Sequence, residues 1–201
     1  MSPATAVVIL AAGAGSRWSG GGHKLSAELP ATATEPPATV IERALAHAIA
    51  AAIGPVIVIT GAAPGIVPAA LIDGSIDQVT VHHNPDWADG QMTSLRVGLD
   101  AAAVLGYRAV VVGLADQPFI TPAAWRTVAA ADAPIAVATY EGRRGNPVLL
   151  DSAVWRLLPA GGDEGARSLM RVRPDLVREV PCIGSPADID TEEDLRRWQN
   201  S

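Results

Sequence analysis

The sequence predicts an α/β fold built on a mostly parallel sheet. Short, unbroken, β-branched apolar runs recur along the chain, which is how strands buried on both faces of a parallel sheet read. Helical patterns lie between these runs, and strands alternating with helices define the class. A glycine-rich loop follows the first run directly, at the strand end where such sheets bind ligands.

The first strand is Ala6-Val7-Val8-Ile9-Leu10-Ala11. A helix is expected over residues 40–53, after the Pro-rich stretch from Ala31 to Pro37. Val56-Ile57-Val58-Ile59 is the second strand, followed by a helix over residues 65–71, and Val79-Thr80-Val81 is the third. Residues 94–105 read as a helix and Ala109-Val110-Val111-Val112 as the fourth strand. Thr121-Pro122 opens a helix reaching residue 131, with Thr as N-cap and Pro at the first helical position. Ile135-Ala136-Val137-Ala138 is the fifth strand. Thr191-Glu192-Glu193-Asp194 starts the last helix, its acids placed against the positive end of the helix dipole.

Composition bounds the rest. The 201 residues, 49% of them hydrophobic, suit one domain over residues 1–201 with a sizeable core. Intrinsic disorder is excluded as the main state. The net charge of −6 and the lack of a Lys/Arg cluster argue against nucleic-acid binding. A single cysteine, Cys182, rules out a disulfide framework and suits a reducing compartment. No apolar stretch is long enough to span a membrane. The first residues lack a basic leader segment, so a cytoplasmic location is expected.

The loop after the first strand runs Leu10-Ala11-Ala12-Gly13-Ala14-Gly15-Ser16-Arg17-Trp18-Ser19-Gly20-Gly21-Gly22-His23-Lys24. Glycines let backbone N–H groups approach phosphate oxygens, and Arg17 and Lys24 add full positive charge. A dinucleotide fingerprint would need Gly where Trp18 stands, and a P-loop would need Gly-Lys-Ser/Thr, but Lys24 lies between His23 and Leu25. His23 is a further phosphate contact or a part of the loop frame. His82 and His83, adjacent on a strand, point to opposite faces and do not chelate one ion easily.

Leu10-Ala11-Ala12-Gly13-x-Gly15-x-Arg17 followed by a lysine resembles the signature of MobA-like NTP transferases, closest to the molybdenum cofactor cytidylyltransferases. Four further segments match in order. They are Asn84-Pro85-x-Trp87 through Gly90-x-Met92-x-Ser94-Leu95, then Leu114-Ala115-Asp116-Gln117-Pro118. Gly145-Asn146-Pro147-Val148-Leu149 with Gly162-Asp163-x-Gly165-Ala166-Arg167 comes next, and Asp188-Ile189-Asp190-Thr191-x-Glu193-Asp194-Leu195 last. Three departures stand out. The interval from Arg17 to Lys24 is longer than the family's, residues 29–40 are irregular, and Asn146 stands where this branch often has His.

The resemblance implies a three-layer α/β/α sandwich with a Rossmann-like sheet of the nucleotide-diphospho-sugar transferase type. It implies transfer of CMP from CTP to the phosphate of a molybdopterin-type acceptor, with release of pyrophosphate. Arg17, Lys24 and Asp116 would be catalytic. Leu10, Ala11, Ala12, Gly13, Ala14, Gly15 and Ser16 would bind nucleotide with them, and so would Gly90 and Ser94 near the base and ribose. Ser94 also suits a helix N-cap. Asp116 follows the most apolar strand and suits Mg²⁺, which takes one or two carboxylates plus phosphate oxygens. Asp190 would be the second metal contact, an acceptor contact or a cap of the last helix. Asn146, Asp163, Arg167 and Asp188 would bind acceptor, with Asp163 and Arg167 equally suited to a solvated helix start. A molybdoenzyme or its chaperone would be the downstream partner. GTP or a sugar or alcohol phosphate acceptor, and a non-catalytic cofactor carrier, are the alternatives.

Overall fold

A computed structural model describes residues 4–72 and 79–199. Its centre is a seven-stranded sheet in the order β5-β4-β1-β6-β8-β7-β9. In chain order the strands are β1 (Thr5–Ala11), β4 (Val56–Thr60), β5 (Val79–His83), β6 (Ala109–Leu114), β7 (Ile135–Tyr140), β8 (Arg143–Asp151) and β9 (Val177–Pro181). The short strands β2 (Glu28–Leu29) and β3 (Ala38–Thr39) form a separate two-stranded ladder. Only β8 runs antiparallel, against β6 on one side and β7 on the other. The helices are α1 (Val40–Ala50), α2 (Gln91–Val104), α3 (Pro122–Ala129), α4 (Ser152–Trp155), α5 (Arg167–Val172) and α6 (Glu192–Gln199).

Side chains alternate between two apolar layers. Val7, Ile9 and Ala11 of β1 join Ile41, Leu45 and Ala48 of α1 and Trp125 and Val128 of α3 on one face. Ala6, Val8 and Leu10 join Met92, Leu95 and Leu99 of α2, and Leu169 and Met170 of α5, on the other. Alternate pointing along a strand puts every second residue on the same face, and both faces are covered, so the run is apolar throughout. α1 starts where a capping box forms: the Thr39 hydroxyl accepts from the Glu42 amide, and the Glu42 carboxylate accepts from the Thr39 amide. α2 lies so close to the sheet that a Cβ at Gly98 would come within 2.6 Å of Val8 Cγ1.

The irregular segment from 29 to 40 is anchored by charge. Glu35 accepts from Arg43 and from His47, both on α1, and Arg43 also donates to the Pro36 carbonyl at 2.6 Å. Burial raises the Glu35 pKa, but His47 and Arg43 outweigh it, so the carboxyl lies below its ordinary value.

Several expectations are corrected. The helix expected over residues 65–71 is only a 3₁₀ turn at Ala69–Leu71, because Pro64 and Pro68 deny the amides a longer helix needs. α1 stops at Ala50 rather than residue 53, with Ala52 at φ 52° turning the chain. α2 starts three residues before Ser94, at Gln91. Strands β8 and β9 were not foreseen. β8 is created by a tight hairpin whose corner, Glu141 and Gly142, has φ of 51° and 77°, the left-handed pair that hairpin turns require.

Candidate active site

The carboxyl ends of β1 and β6 lie side by side, since their residues pair in register from Thr5–Ala109 to Leu10–Leu114. That register brings the loop after β1 to Asp116, two residues past β6. The carbonyl of Leu10, the penultimate residue of β1, accepts from the Ala115 amide at 3.0 Å.

Lys24 enters this junction from a 3₁₀ turn, Lys24–Ser26, and is 8% exposed. Its ammonium donates to Asp116 Oδ2 at 2.6 Å and to Asp190 Oδ1 at 2.7 Å. Arg17, an exposed side chain, reaches Asp190 Oδ2 at 2.7 Å. The cluster thus joins two cations to two carboxylates. Burial works to lower the Lys24 pKa, but Asp116 and then Asp190 outweigh it, so the ammonium is held above its ordinary value. Asp116 Oδ1 is buried, with no hydrogen-bond partner among the described residues. A buried carboxylate oxygen left unpaired is costly, and a cation placed there would satisfy it. Among the described residues no group of three or more His, Cys, Asp or Glu is placed to hold a metal. A divalent ion at Asp116 and Asp190 would draw further ligands from phosphate oxygens.

The Asp190 carboxylate serves this cluster and does not cap α6. The Thr191 hydroxyl accepts from the Asp194 amide at 3.2 Å, and Asp194 Oδ2 accepts in return from the Thr191 amide at 2.9 Å. The Ile189 amide donates to the Asp116 carbonyl at 2.9 Å, which stitches the 188–190 segment to the end of β6. α6 is further pinned by Trp198 stacked on Phe119, with ring centroids 3.7 Å apart. The glycine loop is tied to the same helix by Ser19, which donates to Glu192.

Two adjoining cavities open beside the cluster. The smaller, about 320 Å³, is lined by Leu10, Ala12, Gly13, Trp87, Gly90, Gln91, Ser94, Asp116 and Asp163, among others. It gathers the glycine loop, the start of α2 and the metal candidate, as the sequence led us to expect. Gly90, at φ 109°, is packed so tightly that a Cβ would lie 2.7 Å from the Asp163 carboxylate. Asp163 therefore walls the cavity of Gly90 and Ser94, and not the larger one that holds Asn146 and Arg167. Ser94 is no N-cap: Gly90 takes that position, while the Ser94 hydroxyl accepts from Asn84 at 2.9 Å.

The larger cavity, about 460 Å³, has an aliphatic floor of Leu95, Val112, Val137, Val148 and Leu150. Arg144, Asn146, Arg167 and Arg171 stand around it. Leu10, Gln91 and Leu114 line both cavities. Sequence reasoning missed Gln91, Arg144 and Arg171, which no single-sequence signal marks. It also passed over Gln117, although the residue stood inside a quoted motif. Gln117 is 5% exposed and organises its surroundings. It accepts from Asn146 at 2.8 Å and donates to Asp188 at 2.7 Å and to the Pro186 carbonyl at 3.0 Å. Asp188 lines neither cavity. Crowding of its carboxyl by protein, then the nearby Asp116 charge, push its pKa up. Of the remaining predicted residues, Ala11 is buried at the end of β1, Ala14 and Ser16 are exposed in the loop, and Gly15 (φ 63°) packs against the Lys24 stem.

Residues 7–179 match the MobA-like NTP transferase domain. Across 97% of this chain and 96% of its own length, nicotine blue oxidoreductase of Paenarthrobacter nicotinovorans is 28% identical. Among solved structures, a nucleotidyl transferase of Methanothermobacter thermautotrophicus superposes with a TM-score of 0.79 at 24% identity, over 98% of this chain and 96% of that one. The Mycobacterium tuberculosis protein Rv0371c superposes over all of both chains at 29% identity and TM-score 0.75. It has also been solved in complex with manganese, at 28% identity and TM-score 0.70 over 98% of each chain.

Proposed function

The chain belongs to the family of MobA-like NTP transferase domains, and on that premise we propose that it transfers CMP from CTP to the phosphate of a molybdopterin-type acceptor. The observation that carries this reading is the buried Lys24 ammonium seated between Asp116 and Asp190 while Asp116 Oδ1 is left unpaired. A lysine beside a glycine loop and a carboxylate with a spare buried oxygen are the two halves of a site for a metal-bound polyphosphate. The manganese complex of the Mycobacterium tuberculosis relative supports a divalent ion, and Mg²⁺ is the ion proposed, held by Asp116 and Asp190. When bound, it supplies charge neutralisation to the phosphates.

In this reading an acceptor phosphate oxygen attacks the α-phosphorus of CTP in line and pyrophosphate leaves. Lys24 and Arg17, with loop N–H groups from residues 13–16, bind the β- and γ-phosphates and stabilise the leaving group. As the triphosphate arrives, Lys24 exchanges its two carboxylates for phosphate oxygens, so its charge is never left unpaired. Gly90 and Ser94 hold the base and ribose in the smaller cavity. Asn146 and Arg167 hold the acceptor in the larger one, with Asp188 steadying Asn146 through Gln117. Positioning and charge, with no covalent nucleophile, suffice for such a transfer. The test is pyrophosphate release from each of the four nucleoside triphosphates with Mg²⁺, with and without the acceptor. Acceptor-dependent release that favours CTP supports the reading, and a GTP preference or acceptor-independent binding alone overturns it.

A second reading rests on the Paenarthrobacter relative, whose name is that of an oxidoreductase. Parallel mixtures to which a reduced nicotinamide cofactor is added separate the two, since its oxidation without pyrophosphate release would favour redox chemistry.

A further inference from the structure

His23 lies in the stretch between Arg17 and Lys24 that is longer here than the family resemblance leads one to expect, and its ring closes that stretch. One ring nitrogen, Nε2, stands 3.0 Å from the Gly13 carbonyl oxygen, ten residues away in sequence. The other, Nδ1, accepts the Leu25 amide at 3.2 Å and caps the 3₁₀ turn that carries Lys24. An amide can only donate, so Nδ1 must offer a lone pair; a carbonyl can only accept, so Nε2 must carry the proton. Only the neutral Nε2–H tautomer satisfies both. The Gly13–Ala14 peptide is planar and trans, so a carbonyl held toward His23 turns the Ala14 N–H the opposite way. Gly15 packs against the same ring: a Cβ there would lie 3.5 Å from His23 Nε2 and 3.2 Å from Lys24 Cγ.

We propose that His23 is the positioning residue of the phosphate loop: as its Nε2–H tautomer it bolts the Gly13 carbonyl to the turn that presents Lys24, fixing loop and lysine in one arrangement for a nucleoside triphosphate. This rests on the nucleotide reading above and adds to it the residue that preorganises the loop.

The experiment has two arms. Nitrogen-15 NMR of the free protein at neutral pH reads the His23 tautomer without any nucleotide, and Nε2–H is expected. Mg-CTP binding and steady-state kinetics are then compared for wild type, His23→Ala and His23→Asn. His23→Ala loses both hydrogen bonds and is expected to weaken Mg-CTP binding about tenfold, with the loss in KM more than in kcat. His23→Asn restores an N-cap acceptor for Leu25 but cannot reach Gly13, and is expected to recover part of that loss. A protonated Nδ1, unchanged affinity in His23→Ala, or a loss confined to kcat would each overturn the assignment. Wild-type protein that shows the Nε2–H signature yet binds no nucleoside triphosphate would instead sink the nucleotide reading, and this assignment with it.

Discussion

The two faces of the sheet are made from the same strands and end up doing different work. On one face α1 and α3 lie directly on β1, β6 and β8, and Trp125, 2% exposed, fills the space over Gly113, where any Cβ would overlap its ring. On the other, α2 covers β1 and β4, but the short helices α4 and α5 leave β6, β7 and β8 under a cavity of about 460 Å³. Val111 and Val112 are neighbours on β6, and one is sealed under α3 while the other floors the cavity. The open face is therefore set by which strands a helix covers: α3 seals β6, β7 and β8 on one side, whereas on the other α2 lies toward β1 and β4, and the apolar character of the strands is alike on both.

The largest expected effect lies on the sealed face. Trp125→Ala should cost about 3–5 kcal/mol of unfolding free energy, as large-to-small core changes do, while activity per folded molecule is retained. Urea denaturation with activity normalised to folded protein checks this. The Trp125 indole N–H is buried with no partner among the described residues, so Trp125→Phe should cost far less. A loss as large as that of Ala would mean the N–H is satisfied after all.

Next comes Lys24→Ala, at the junction where the open face meets the carboxyl ends of the strands. Losing one preorganised charge at the transition state costs on the order of 3 kcal/mol, roughly a hundredfold in rate. Turnover should fall by that factor while stability changes less than in Trp125→Ala. Asp116→Asn in the same assays should abolish Mn²⁺ binding read by electron paramagnetic resonance and leave the thermal midpoint nearly unchanged. A matching loss of stability would make Asp116 a structural residue.

A sharper test of the two faces is the pair Val111→Ala and Val112→Ala. The first opens a void in a sealed layer and should cost about 2 kcal/mol; the second enlarges an existing cavity and should cost roughly half as much. Equal costs would mean the cavity is closed in solution. Only Val112→Ala should alter acceptor affinity.

The smallest effect is electrostatic. The Asp188 pKa is raised above its unfolded value, so the folded state holds that proton more tightly. Its ionisation therefore costs stability above the folded pKa, and the cost vanishes below the unfolded one. Asp188→Asn should raise the thermal midpoint modestly at pH 7, with the gain fading as pH falls into the ordinary carboxylate range. A gain independent of pH would trace to packing instead.

Much of the frame was legible in the chain. Five strands, the cap at Thr121 and the glycine loop are local signals, because burial on both faces forces continuous apolar runs and helix starts need their own acceptors. Asp116 was legible as a lone acid after an apolar strand. β8 was not, since Arg143-Arg144-Gly145-Asn146-Pro147 carries no strand pattern and pairs only because the hairpin at Glu141 and Gly142 folds it onto β7. β9, reading Val-Arg-Glu-Val-Pro, is an edge strand with exposed Arg178 and Glu179, where pairing relaxes the apolar requirement and admits proline.

The sequence by itself determined the class of fold, the order of its inner elements and the loop in which phosphate chemistry is sought, because these depend on short-range periodicity and turn chemistry. Tertiary structure alone decided that Lys24 sits between Asp116 and Asp190, residues separated from it by 92 and 166 positions. It decided that Asp163 belongs to one cavity and Arg167 to the other, and that Gln117 links Asn146 to Asp188. Contacts at such separations come from strand register and helix placement, which no local window of the chain contains.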